Sequence, residues 1–159
     1  MTYSKSIIAD DSNRPTDRVQ PALGARQLTY SDGVRLDFSE FSWIMLSGVV
    51  ALDENLEIVG EGDIRAQTRF VLNSIQRLLA REGASIDDIC RVRVYVAGGL
   101  DREKFRIIHE ERARVFDPGH YPASTLVEVS SLIRPELLIE IDADAVVGRS
   151  DASIRATSE

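Results

Sequence analysis

The chain has little of several things that would narrow its function at once. Among 159 residues there is one cysteine, Cys90, and there are two histidines, His109 and His120. A lone cysteine excludes an internal disulfide framework and any thiolate-rich metal site built by one chain. Cys90 lies in an apolar alternation, so it is expected to pack in the core. A histidine-based metal site would have to recruit carboxylates or a second chain. Positive charge is also in deficit: 19 Lys and Arg against 26 Asp and Glu leave a net charge of −7. An acidic protein is repelled by a phosphate backbone, which argues against nucleic acid as the general partner. No run approaches the roughly 18 to 20 apolar residues of a membrane helix. Residues 1–21 lack the apolar centre of a signal peptide, and the expectation is a soluble, cytoplasmic protein.

What is present is a globular composition, 43% apolar and 28% charged, of a length that suits one domain. Residues 1–24 are polar, carry Pro15 and Pro21, and show no sustained period. They read as a flexible arm, residues 25–147 as the domain, and residues 148–159 as a flexible tail.

Within the domain, Ser31-Asp32-Gly33 marks a turn between two short extended segments, and residues 43–52 form a mostly buried strand that stops at Asp53-Glu54-Asn55. The period then lengthens. Ile64, Val71, Ile75, Leu78 and Leu79 share one helical face over residues 63–82, with Asp63 placed to cap the start and Gly83 to end it. Residues 89–96 alternate, with Cys90, Val92, Val94 and Val96 on one side and Arg91, Arg93 and Tyr95 on the other. A second helix is expected over residues 101–116 through Phe105, Ile108, Val115 and Phe116.

Two strands follow Pro122. In the first, Thr125, Val127 and Val129 share a face opposite Ser124, Leu126 and Glu128; in the second, Leu137, Ile139, Ile141, Ala143 and Ala145 oppose Glu140, Asp142 and Asp144. Two helices covering the apolar side of one sheet make a two-layer α+β domain. The other face carries Arg91 and Arg93 against three acids, which suits either solvent with cross-strand ion pairs or a surface covered by other subunits.

Several strings occur together in this frame: Tyr30-Ser31, Leu46-Ser47-Gly48, Gln67-Thr68-Arg69 with Ile75 and Gly83, Val92-Arg93-Val94-Tyr95-Val96, Pro122-Ala123, Val127-Glu128-Val129, and Ile139-Glu140-Ile141 with Ala143 and Ala145. Their order and spacing over residues 26–147 resemble the RidA family, also called YjgF. The resemblance implies a chorismate-mutase-like α+β fold, a mixed sheet covered on one face by two helices. It further implies a homotrimer with ligand sites in the clefts between subunits, and hydrolysis of reactive enamines and imines such as 2-aminoacrylate without a cofactor.

Such a reaction needs a group to hold the substrate carboxylate, a proton delivered to carbon, and a water placed to attack C=N. The resemblance assigns Glu140 to orient water, Tyr30 to line the cleft and Gly48 to approach the ligand. The family places an arginine directly after Pro-Ala, and here Ser124 stands there. A hydroxyl does not replace a bidentate, charged clamp. His109 stands where archetypal members have asparagine and adds a group that titrates near neutrality. The candidate set is therefore Glu140, Tyr30 and His109 for catalysis, and Gly48, Ser124, Thr125 and Arg134 for binding. Arg26 and Arg112 are further cations that could replace the missing charge. The plainer role for Glu140 is an ion pair with Arg91 or Arg93.

Three functions follow from the resemblance together with this set. The first is deamination of an enamine or imine other than 2-aminoacrylate, of which 2-aminomuconate is an example. The second is a trimer that binds a small metabolite without turnover. The third, an endoribonuclease or translation inhibitor, is opposed by the acidic charge.

Overall fold

The computed structural model describes residues 3–9 and 30–149. Strands β1 (Ser4–Ile8), β2 (Gly33–Asp37) and β3 (Phe41–Val50) are followed by helix α1 (Ile64–Arg81), a single 3-10 turn at Ile86–Asp88, and β4 (Ile89–Val96). Helix α2 (Arg102–Arg112), β5 (Ala123–Glu128) and β6 (Ile139–Gly148) complete the chain order. The six strands form one sheet in the order β1-β2-β3-β6-β4-β5, antiparallel except for β4 and β5. That parallel pair is joined through α2, as a parallel connection requires. The mixed sheet with two helices is the α+β architecture expected.

Helix α1 begins where Asp63 Oδ1 accepts the Arg65 and Ala66 amides at 2.9 and 3.1 Å, and Gly83 takes a positive φ of 70° just beyond its end. Its buried face, with Val71, Ile75 and Leu79, packs on β3 and β6 and joins Ile44, Val92, Val94 and Ile141 in one core. Side chains this fully buried contribute about 1.5–3 kcal/mol each relative to exposure. Gln67 is buried in the same face. Its Nε2 donates to the carbonyls of Gly60 and Glu136, and its Oε1 accepts the Leu138 amide at 2.7 Å, tying α1 to the segment that enters β6.

Helix α2 ends at Arg112, four residues before the expected stop. Beyond it the Arg114 and Val115 amides bond three residues back, to Glu111 and Arg112. The tightened turn still brings Phe116 into the core at 3% exposure, whereas Phe105, expected on the buried face, is 48% exposed. The two helices are bolted together by Glu111, which is buried and accepts from Arg65 and from both Nε and Nη2 of Arg69.

The structure departs from these expectations at particular residues. Ser4–Ile8, assigned to the arm, pair with β2 as an edge strand and bury Ile8. Residues 10–29 and 150–159, most of the proposed arm and tail, lie outside the described residues. Cys90 is exposed: the β4–β6 register shifts between Ile89 and Arg91, so Ile89 takes the buried position and Cys90 Sγ donates to the Asp144 carbonyl at 3.3 Å. On β5, Ser124 and Leu126 lie opposite the buried Val92 and Val94 and face the helices, while Thr125 and Val127 lie with Arg93 and Tyr95 on the other side. Val127 is therefore exposed.

Candidate functional site

The β3–β6 register shifts between Leu46 and Val49, and Ser47 and Gly48 occupy the irregularity. Ser47 is held to the segment before β2, its Oγ donating to the Ser31 carbonyl at 2.7 Å and its amide to the Asp32 carbonyl at 2.9 Å. Tyr30, the neighbour of Ser31, is thereby fastened beside this bulge with an exposed ring. Across the strand pair, Glu140 lies directly against Gly48. A β-carbon on Gly48 would fall 1.8 Å from Glu140 Oε1, so only glycine leaves the carboxylate its place.

Glu140 is half-buried and forms no ion pair with any described residue. Arg93 instead bonds Asp142 at 2.6 Å and Asp144 at 2.9 Å, the cross-strand pairing suggested by the charged face but with different partners. Burial, and then the adjacent Asp142 charge, push the Glu140 carboxyl above its ordinary value. Such a group can take a proton from water and return it nearer neutrality.

A second group forms beneath α2. His109, Arg112, Ala113, Phe116, Tyr121 and Ser124 line a cavity of about 280 Å³. The His109 ring packs on Phe105 with centroids 4.3 Å apart. Burial, reinforced by the Arg112 charge, lowers its pKa and favours the neutral imidazole.

The structure thus divides the candidate residues. Glu140 pairs in register with Tyr95, on the face away from the helices, and Gly48 abuts it there; Ser124 pairs with Val92, on the face toward them. The two groups do not meet across a common cavity in one protomer. Thr125, not Ser124, shares the face of Glu140. Arg134 is engaged elsewhere, Nη1 donating to the Leu56 carbonyl at 2.9 Å and Nε lying 3.6 Å from Glu136. Arg26 lies outside the described residues. Among the described residues no group of three His, Cys, Asp or Glu is arranged to hold a metal, and no helix is long and apolar enough to cross a membrane.

Phe116 and Tyr121 as cavity walls were not read from the sequence. The available signal was the i, i+3 spacing of His109 and Arg112, which puts both on one side of α2.

The model of one family, described as endoribonuclease L-PSP, matches residues 22–147. Among curated proteins the chain is 34% identical over 98 residues to the 3-aminoacrylate deaminase RutC of Acinetobacter baylyi, covering 62% of this chain and 74% of that one. It is 35% identical over 104 residues to a RutC family protein of Pyrococcus horikoshii, covering 65% and 79%. A crystal structure of a YjgF family member from Mycobacterium tuberculosis superposes with a TM-score of 0.66 at 32% identity, over 91% of this chain and all of the other. A match over most of the chain, joined to the six-stranded mixed sheet with its two helices, shows that the protein belongs to the endoribonuclease L-PSP family, that of YjgF and RidA.

Proposed function

We infer that the protein is a hydrolytic deaminase of a reactive enamine or imine acid, acting at clefts between the subunits of a cytoplasmic homotrimer. The observation that carries this reading is the half-buried carboxyl of Glu140, free of any ion pair among the described residues and fitted against Gly48. The deaminase named among the relatives supports it.

In the proposed chemistry a proton moves from nitrogen to carbon by way of water, and the enamine becomes an imine. Glu140 takes a proton from water as the oxygen attacks C=N and returns it to the nitrogen; the proton of the carbinolamine hydroxyl follows the same route as ammonia leaves and a carbonyl forms. Tyr30 offers its hydroxyl to the reacting group, and His109 and Thr125 face the substrate from the cleft walls. Because Ser124 stands where the family has arginine, the proposed substrate is an enamine or imine other than 2-aminoacrylate, of which a longer conjugated acid of the 2-aminomuconate type is an example. Meeting of the Glu140 and Ser124 groups on one molecule requires a second copy of the chain.

The same serine favours a second reading, a trimer that binds a metabolite without converting it. The ribonuclease reading is disfavoured by the net charge of −7.

Ammonia release from freshly generated enamines, measured with wild type and Glu140→Gln, separates these readings. Turnover by the wild type that is lost in the variant supports the deaminase. Two inert proteins whose melting temperature still rises with a metabolite would leave the binding module.

A further inference from the structure

We propose that the cavity under α2 binds a carboxylate on a flat apolar stem, with the Arg112 guanidinium as its charge partner and the Ser124 hydroxyl as a second donor. Arg112 is the last residue of α2 and is 9% exposed. Among the described residues its guanidinium makes no hydrogen bond and no ion pair; its contact is the Phe116 ring, 5.8 Å from Cζ to the centroid. The other buried or half-buried arginines are treated differently. Arg35 is bound by Asp37, Arg65 by Glu110 and Glu111, and Arg93 by Asp142 and Asp144.

A guanidinium carries five N–H donors, and removing it from water without an acceptor is costly. Burial here lowers the Arg112 pKa with no carboxylate to oppose it. A site that retains such a group is completed by an acceptor from outside. The cavity lining contains no Asp or Glu, and its remaining walls are Ala113, Phe116, Tyr121, Ser124 and His109. His109 supplies no compensating negative charge in either of its protonation states. The wall chemistry therefore selects an anion, and the aromatic and methyl surfaces select an apolar body behind it. A volume of about 280 Å³ admits a molecule of the size of a benzoate.

Arg112 would then restore from the helix layer the positive charge that the strand lacks at Ser124. This names an enamine carboxylic acid as the substrate class, and it rests on the deaminase reading only in the step from ligand to substrate.

Benzoate and its uncharged counterpart benzamide are suitable probes, since neither is deaminated by the proposed route. Calorimetry and thermal shift in low-salt buffer are expected to show saturable binding of benzoate, with benzamide bound at least about tenfold more weakly, the loss of one charge-assisted contact. Arg112→Met is expected to remove the preference for benzoate without lowering the melting temperature of the free protein, because it eliminates a buried unpaired charge. Arg112→Lys keeps the charge and the fold, and is expected to weaken benzoate severalfold. In the wild type, benzoate is expected to shift the Arg112 Nε–H resonance.

Equal affinity for the two probes, or an unmoved Arg112 resonance, would overturn the proposal. So would loss of oligomer or of thermal stability in both variants, which would identify the partner as a carboxylate of the protein itself, from another copy or from residues 10–29. Ammonia release reports separately: benzoate selectivity with no turnover of any enamine leaves the anion site standing and removes the deaminase reading.

Discussion

The Glu140 carboxylate fills the space that a side chain on Gly48 would occupy. A β-carbon there would lie 1.8 Å from Oε1, 2.7 Å from Cδ and 3.0 Å from Cγ. Gly48 is not among the glycines with positive φ, so the constraint is contact and not backbone strain.

Gly48→Ala is therefore expected to fold, since the blocking atoms belong to the end of a flexible side chain, while Glu140 swings away from its place. Ammonia release should fall to the level of Glu140→Gln. Combining the two substitutions should cost no more than either one, because both remove the same group. Additive losses would show that Gly48 acts on something other than Glu140.

The raised pKa of Glu140 predicts opposite trends in activity and stability. As a base, the carboxylate is useful only when ionised, so the rate should climb as pH rises through a value above the ordinary 4.5. Glu140→Gln should lose that limb. For stability, the folded protein holds this proton more tightly than the unfolded chain does. The contribution is full below the unfolded value and disappears as pH rises through the folded one. Urea denaturation from pH 4 to 8 should accordingly find Glu140→Gln gaining on the wild type toward neutral pH.

Glu111 behaves in the reverse sense. Its hydrogen bond from Arg69, and then that from Arg65, overcome burial and hold its carboxyl below the ordinary value. Stability from this group is present above the unfolded value and is lost as pH falls through the folded one. Glu111→Gln should cost about 1–3 kcal/mol at pH 7, toward the lower end because the arginines are partly in water and re-solvate. The deficit should shrink in acid, measurable by denaturation at pH 7 and pH 3.

Gln67→Leu keeps a similar volume and removes three bonds from a buried side chain to partly buried backbone groups at Gly60, Glu136 and Leu138. A loss of about 2–4 kcal/mol is expected from the unpaired donor and acceptors. Hydrogen exchange at the Leu138 amide should accelerate more than at core amides of β4, because that bond leads directly into the strand carrying Glu140. Uniform acceleration would show that Gln67 supports only global stability.

Much of the fold could be read along the chain because its determinants are local. Asp63 and Gly83 bound α1 through backbone bonds and a positive φ within a few residues, and the alternation of Ile139, Ile141, Ala143 and Ala145 follows from the two-residue period of a strand. Cys90 was misplaced because a bulge inserts one residue into that period, and no neighbouring residue announces it. Val127 was misplaced because β5 is an edge strand, where an apolar residue can face outward.

The site divides in the same way. The residue types, Tyr30, Gly48, Glu140 and the serine at 124, were legible as strings of side chains with known chemistry. Which of them share a face was not, because that depends on the register of β5 and β6 against β4, set by packing between strands far apart in sequence. The linear order of residues determined the elements and the chemical groups available. Only the tertiary structure decided that, among the described residues, Glu140 is free of the arginines while Arg112 is buried without a hydrogen-bond or ion-pair partner, since ion pairing and desolvation are properties of distance in space.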